Sequence, residues 1–377
     1  MLISRQLDTS NNPHYDSHEQ VKVFEDSELG LSAIIAVHNT NLGPSLGGCR
    51  IYPYDHFDDA VTDVLRLSRG MTYKSALAGL PLGGGKAVII GNPKTIKSHA
   101  FMARFGEAVA QMNGTYITAE DVGSSEEDML AIASATSYVA GLPPEDESSN
   151  NVSGNPSPVT AYGVYCGLKA CAERVYSSSN LKGKKVAIQG MGAVGYALAR
   201  YLFADGALLT VADINSATIE KAKEEFGQSL TIADVATVHT AEVDIFSPCA
   251  LGASLNDVTI PKIRAKIIGG AANNQLAAPQ HDKMLNDMGI LYAPDYAINS
   301  GGITSVGYEY FSRTGRNPYD YPLTRERMNA HVEKISDTLQ MIFSIADEQK
   351  IGTGLAADIL AEKIFKVGRT QSSTSAA

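Results

Sequence analysis

The sequence predicts an α/β protein of two domains, and three observations carry that prediction. At 377 residues the chain is long enough for two domains, and 44% hydrophobic with 19% charged residues is ordinary globular usage. A glycine turn, Gly190-Met191-Gly192-Ala193-Val194-Gly195, follows the apolar run Val186-Ala187-Ile188 and opens a helical pattern, and Asp213 ends the next apolar run. Residues 143–158 are rich in Pro, Glu, Ser, Asn and Gly without periodicity and read as a surface linker between the halves.

Before the linker, short apolar runs at 21–24, 31–37 and 50–54 read as strands. Val61, Val64, Leu65, Leu67 and Met71 keep one apolar face through a helix that carries Lys74 near its end. Residues 86–90 read as a buried strand, 96–112 as a helix and 116–118 as a strand, and Ser124 with Glu127 as the capping-box start of a further helix. After the linker, a helix over 159–175 leads to the run at 186–188, a helix over 194–203 and a strand over 208–212. Further strands at 244–246, 267–268 and 290–292 alternate with helices, which predicts a parallel sheet. Helical stretches at 323–349 and 355–367 precede a Ser/Thr/Ala tail from 370 that reads as disordered.

Charge and composition remove several function classes. The formal net charge of -10 and pI near 5.3 repel phosphate backbones and anionic lipid, and no basic stripe compensates, so neither nucleic acid nor membrane is an expected partner. Cys49, Cys166, Cys171 and Cys249 share no metal-ligand spacing and read as reduced thiols; no metal is expected. The first nineteen residues are polar, and no run of eighteen apolar residues follows, which places the expected location in the cytoplasm.

The glycine turn sits in the strand–turn–helix context that a dinucleotide requires. Gly190 allows the tight turn, Gly192 lets backbone meet a pyrophosphate, and Gly195 lets helix and strand pack closely. Ala193 and Val194 open the helix whose free N–H groups and partial positive charge suit the pyrophosphate. Asp213, eighteen residues past Gly195, would accept hydrogen bonds from both ribose hydroxyls and repel a 2′-phosphate, so NAD is the expected cofactor. The bland alternative is a structural glycine turn. A second glycine run, Gly83-Gly84-Gly85-Lys86, suggests a backbone that a ligand approaches closely. It is no P-loop, because Leu80 stands where glycine is needed and Ala87 where Ser or Thr is needed. Lys74 and Lys86 lie twelve residues apart, one able to clamp an anion and the other to move protons.

Seven blocks resemble the signatures of the glutamate/leucine/phenylalanine/valine dehydrogenases, over about residues 20 to 365: Leu42 to Arg50, Arg69 to Lys74, Gly83 to Lys86, Thr118 to Gly123, Ser157 to Ala161, Gly270 to Leu276 and Pro294 to Gly302. The resemblance is closest to the leucine and valine members. It implies reversible oxidative deamination of an L-amino acid to its 2-oxo acid and ammonia. In that reading Lys74 binds the substrate carboxylate, and Lys86 is the catalytic base that activates water. Asp121 contacts the substrate amino group and shuttles protons. Burial and the Lys74 charge would help keep Lys86 neutral. Gly47 and Gly48 line the substrate, and Asn274 and Thr160 match polar groups near substrate and nicotinamide. Leu46, Ala119, Ile303 and Val306 match the side-chain pocket and are all aliphatic, which implies a branched-chain substrate; phenylalanine or tryptophan is the alternative.

Each position has a plainer reading beside this one. Lys74 taken alone is a solvated helix end, Asp121 could begin a helix cap, and Asn273 and Asn274 could both be turn formers, with the choice between them open. A silent NAD-binding protein is the alternative outside enzymology, and intact Lys74, Lys86 and Asp121 argue against it. The eight histidines have no ligand spacing, and Asp295 and Tyr296 read as structural. Cys49 replaces the family's usual Thr, and residues 307–311 and 313–322 depart from the pattern at the pocket rim. The expected division is a substrate and oligomerisation domain over 1–145, joined by a returning helix over 346–368, a Rossmann-type NAD domain over 146–345, and a tail from 369. Catalysis is expected in the cleft between the two domains, and a homo-oligomer is implied.

Overall fold

The computed structural model describes residues 1–143, 152 and 155–372, so most of the linker stretch and the last five residues lie outside the described part. The chain divides into two compact units. The first holds the described residues of Met1–Asn155, Ile303–Met328 and Ala361–Ala377; the second holds Pro156–Gly302 and Asn329–Leu360. Compared with the sequence expectation, residues 303–328 move to the first unit, and the returning segment begins at Ala361 rather than 346.

The first unit is built on β1 (Ile3–Gln6), β2 (Gln20–Asp26), β3 (Leu31–Asn39), β4 (Ser45–Tyr52), β5 (Gly83–Ile90) and β6 (Tyr116–Glu120). They form one mixed sheet in the order β1-β2-β3-β5-β4-β6, with β4 parallel to both β5 and β6. Helix α1 (Phe57–Leu77) covers one face, where Val61, Val64 and Leu65 pack on Val23, Ile34 and Val88. On the other face α3 (His99–Ala110) and α4 (Glu126–Ala133) bury Phe101, Phe105, Met129 and Ile132 against Ala87 and Ile89. Successive β5 side chains therefore point to opposite cores, and Lys86, two residues before Val88, faces α1.

Local chemistry moved several boundaries. The helix expected over 96–112 is split, because Ser98 in extended backbone caps a new start, accepting from the Phe101 N–H at 3.1 Å; the short α2 (Pro93–Ile96) precedes it. The capping box is Ser125 with Asp128, one residue beyond the expected Ser124 and Glu127. β4 begins at Ser45, so Gly47 and Gly48 lie inside a strand, and β1 gives the N-terminal extension an antiparallel place on β2.

The second unit opens with α5 (Ser157–Tyr176) and then β7 (Lys185–Gln189), α6 (Ala193–Ala204), β8 (Leu208–Ala212), α7 (Ser216–Phe226), β9 (Leu230–Ile232), β10 (Ile245–Pro248), β11 (Ile267–Ile268), α8 (Gln280–Asp287), β12 (Leu291–Tyr292) and α9 (Asp295–Ile298). All strand pairs are parallel, in the order β12-β11-β10-β7-β8-β9. That is the doubly wound dinucleotide order, whose switch point falls between β7 and β10. β9 is a short edge strand that the sequence reading did not anticipate. Helix α10 (Gly301–Thr314) leaves this unit after its first two residues, and α11 (Arg325–Glu333) and α12 (Ile335–Gln349) split the helical stretch expected over 323–349 at Lys334. α13 (Thr353–Ser372) continues past the expected start of the disordered tail; residues 373–377 lie outside the described part. In the first unit its end meets α1, where the Tyr73 hydroxyl donates to Glu362 at 2.9 Å and the Phe365 ring lies 5.4 Å from that of Tyr73.

Candidate active site

Three neighbouring strands of the first unit bring the predicted catalytic pair together. Lys86 on β5 is buried, and its Nζ is ion-paired with Oδ2 of Asp121, which directly follows β6. Between them runs β4, where a Cβ on Gly48 would lie 2.7 Å from the Asp121 Cβ and 2.9 Å from its Oδ2. Gly48 therefore makes room for the carboxylate. Asp121 also accepts from the Val122 N–H at 2.6 Å and lies 3.4 Å from Nε of Arg50. Burial pushes its carboxyl up, but Lys86 first, then Arg50 and the Val122 N–H, outweigh that and hold it below the usual carboxylate range. The carboxylate is a counter-ion that the expectation of a base kept neutral by burial and Lys74 did not include. Glu120 points the other way, as strand alternation requires.

Lys74 lies in the last turn of α1, partly buried, on the helix that packs over the Lys86 face of the sheet. What lets this helix approach is Gly84, where a Cβ would fall on the Thr72 backbone nitrogen. The other glycines of that run are filled in the same way: a Cβ on Gly85 would lie 2.6 Å from Ser45 Oγ and 2.8 Å from the Tyr116 ring, and one on Gly83 would strike the Asn39 carbonyl. The run expected to admit a ligand thus admits the chain's own backbone and side chains. Leu46, Ala119, Ile303 and Val306 share one apolar cluster with Leu80, Leu82 and Ala140, so the four predicted pocket residues do meet.

In the second unit the glycine turn is mixed, with Gly190 and Gly195 closed in by the chain and Gly192 open. Gly190 has φ +97°, and a Cβ there would lie 2.7 Å from that of Ala250; a Cβ on Gly195 would strike the Gly190 carbonyl. Gly192 has nothing within 4 Å of such a Cβ, is exposed with Ala193, and precedes a helix that has no side-chain cap. Val194 is half-buried behind them. An open glycine at an uncapped helix start fits a pyrophosphate. Asp213 accepts from the Met191 N–H at 2.6 Å and the Asn215 N–H at 2.7 Å, which fixes its carboxylate beside that turn with lone pairs to spare. Thr160 donates to the Pro156 carbonyl at 2.9 Å and lies against Gly302. Asn274 is exposed and left-handed, φ +51°, with its N–H on Asp295 at 2.6 Å, whereas the Asn273 side chain accepts from Asn299 at 3.0 Å. Asp295 and Tyr296 are bonded structurally, Tyr296 to Asp358 at 2.6 Å.

The profile described as "Glu/Leu/Phe/Val dehydrogenase, dimerisation domain" matches residues 17–138, and that of "Glutamate/Leucine/Phenylalanine/Valine dehydrogenase" matches residues 208–369. The leucine dehydrogenase of Geobacillus stearothermophilus is 48% identical over 355 residues, covering 94% of this chain and 92% of that one. The chain belongs to the Glu/Leu/Phe/Val dehydrogenase family. The valine dehydrogenase of Streptomyces virginiae is 43% identical over 92% of this chain and 93% of its own. The crystal structure of L-tryptophan dehydrogenase from Nostoc punctiforme superposes with a TM-score of 0.80 at 42% identity, covering 94% and 97% of the two chains.

This amino-acid dehydrogenase therefore carries, in one unit, an ion pair between buried Lys86 and half-buried Asp121 together with an aliphatic cluster and, in the other, a glycine turn at an uncapped helix start. Some neighbours of the Lys86–Asp121 pair escaped the sequence reading. Arg50 bridges Asp121 and Asp63, the latter at 2.8 Å, and Asp63 in turn accepts from the Tyr54 hydroxyl at 2.6 Å. The buried Tyr116 hydroxyl donates to the Gly47 carbonyl at 2.7 Å and so fixes the paired-glycine backbone. Arg50 stood at the end of the quoted Leu42 block, and its position after two glycines was the available signal. Among the described residues no group of three His, Cys, Asp or Glu could hold a metal, and no helix is long and apolar enough to cross a membrane.

Proposed function

We propose that the protein catalyses NAD-dependent oxidative deamination of a branched-chain L-amino acid, leucine, valine or isoleucine, to its 2-oxo acid and ammonia. The observation that carries this reading is the ion pair of buried Lys86 with half-buried Asp121 in the same unit as the all-aliphatic cluster of Leu46, Ala119, Ile303 and Val306. Lys74 holds the substrate carboxylate, and the Gly47–Gly48 backbone lies along the substrate. Asp121 takes a proton from the substrate ammonium and passes it to solvent, which restores its carboxylate. Moving the proton on Lys86 Nζ to Asp121 Oδ2 leaves an amine that deprotonates the attacking water and later returns a proton to the departing ammonia. The bound nicotinamide supplies the hydride acceptor. Gly190, Gly192, Ala193, Val194 and Gly195 hold its pyrophosphate, Asp213 its adenosine ribose, and Thr160 and Asn274 its nicotinamide end. The aliphatic cluster cannot pair a distal carboxylate, which would cost several kcal/mol to bury, so glutamate is a poor substrate. The names of the leucine and valine relatives favour the same substrates, and the dimerisation-domain match supports a homo-oligomer formed through the first unit.

The test is NADH formation from the twenty L-amino acids, with NADP in parallel. Leucine, valine and isoleucine should fall within about two orders of magnitude of each other in kcat/KM, since a methylene in an apolar pocket discriminates by about 1 to 3 kcal/mol. A tenfold or greater preference for phenylalanine or tryptophan would replace this reading with the aromatic one.

A further inference from the structure

The aliphatic cluster has a wall that the sequence did not assign. Residues 138–141 run beside β6: the Thr118 N–H donates to the Tyr138 carbonyl at 3.0 Å and the Ala140 N–H to the Thr118 carbonyl at 2.8 Å. This places the fully buried Ala140 in the same cluster as Ala119, Leu46 and Ile303. Ile303, Val306 and Tyr310, at helical spacing on α10, join the same cluster, so one face of α10 and Ala140 of the 138–141 segment pack into one apolar group.

Two charged residues on α10 tie these walls together. Glu309 is buried, yet it accepts from Arg313 Nε at 2.6 Å through one oxygen and from the Gly141 N–H at 2.8 Å through the other. Arg313 donates in turn to the Val139 carbonyl. The two side chains thus hold the peptide groups on both sides of Ala140. Burial raises the Glu309 carboxyl above its usual range despite Arg313, so an apolar pair would join helix and segment with less desolvation. What a pair of directional bonds adds over apolar packing is a fixed separation, and a pocket that sorts side chains by size needs one.

We infer that Glu309 and Arg313 are positioning residues that set the width of the substrate side-chain pocket through Ala140. This rests on the branched-chain reading above. The experiment measures kcat/KM for leucine, valine and phenylalanine in the full-length wild type, Glu309→Ala, Glu309→Gln and Ala140→Val. In Glu309→Ala the leucine-to-phenylalanine ratio should fall at least about tenfold as the walls loosen, and Glu309→Gln, which keeps an acceptor for Gly141, should fall less. Ala140→Val keeps the clamp and adds bulk, so it should shift the leucine-to-valine ratio toward valine by about fivefold or more, and it reports even where Glu309→Ala does not fold. Equal proportional losses for all substrates in the Glu309 variants, or an unchanged leucine-to-valine ratio in Ala140→Val, overturn the inference. A wild type that prefers phenylalanine overturns the branched-chain reading instead, and the clamp is still judged by whether the ratios move.

Discussion

The two glycine runs of this chain are both largely closed in by the protein itself and differ at one glycine, Gly192. In Gly83-Gly84-Gly85 the missing side chains are replaced by the protein itself: the Asn39 carbonyl, the Thr72 backbone, and Ser45 with Tyr116. At Gly192 the space stays open, at an exposed helix start. The first run brings α1, which carries Lys74, close to the sheet that carries Lys86; the second leaves a helix start without a side-chain cap. A glycine run signals close approach, and only the surrounding fold says whether the thing approaching is ligand or chain.

The largest effect should come from the packed region. Lys86→Ala should lower kcat by about two orders of magnitude or more while leaving the NAD dissociation constant close to wild type, and Lys74→Ala should chiefly raise KM. Steady-state kinetics with NAD titration checks both, and wild-type turnover in Lys86→Ala would remove the lysine from the chemistry. The contrast itself is sharpened by a pair of alanines. Gly84→Ala must push α1 off the sheet and should cost about 1 to 3 kcal/mol or more in unfolding free energy, whereas Gly192→Ala should leave the melting temperature of the cofactor-free protein unchanged and weaken NAD binding. Equal melting temperatures for the two variants would erase the distinction drawn here.

A smaller effect is expected at Asp213. Replacing it with Ser should narrow the preference for NAD over NADP by roughly tenfold, read as the ratio of kcat/KM values. The smallest concerns acid. Asp121 is held below the usual carboxylate range, so its stabilising contribution is complete above the unfolded value of about 3.9 and is lost as pH falls through the lower folded value. The stability gap between wild type and Asp121→Asn, measured by urea unfolding, should therefore shrink between pH 6 and pH 3.

Most of the fold was legible because its signals are local. The strand–glycine turn–helix of the second unit and the apolar face of α1 were readable from periodicity and turn chemistry, and the parallel sheet from the alternation of strands and helices; the strand order was not. Boundaries failed where a single side chain decides, as at Ser98 and Ser125. Matched blocks named Lys86 and Asp121, and the structure brings the two side chains together. The contacts of Arg50, Ala140 and Glu309 stayed hidden because each partner lies more than ten residues away: Asp121, Thr118 and Gly141. Such contacts leave no spacing to read.

The division of the chain also governs how it can be made. The backbone passes from one unit to the other four times, at 155/156, 302/303, 328/329 and 360/361. On a ribosome the sheet of the first unit is available once β6 has emerged, but α10, which supplies Ile303 and Val306, and the end of α13, which supplies Glu362 and Phe365 to Tyr73, appear only much later. During synthesis the unit that comes first must therefore wait, its apolar cluster half-built, for the last stretch to be translated. A nascent chain stalled near Leu360 would carry a complete lysine–aspartate pair on a domain still missing its final clasp.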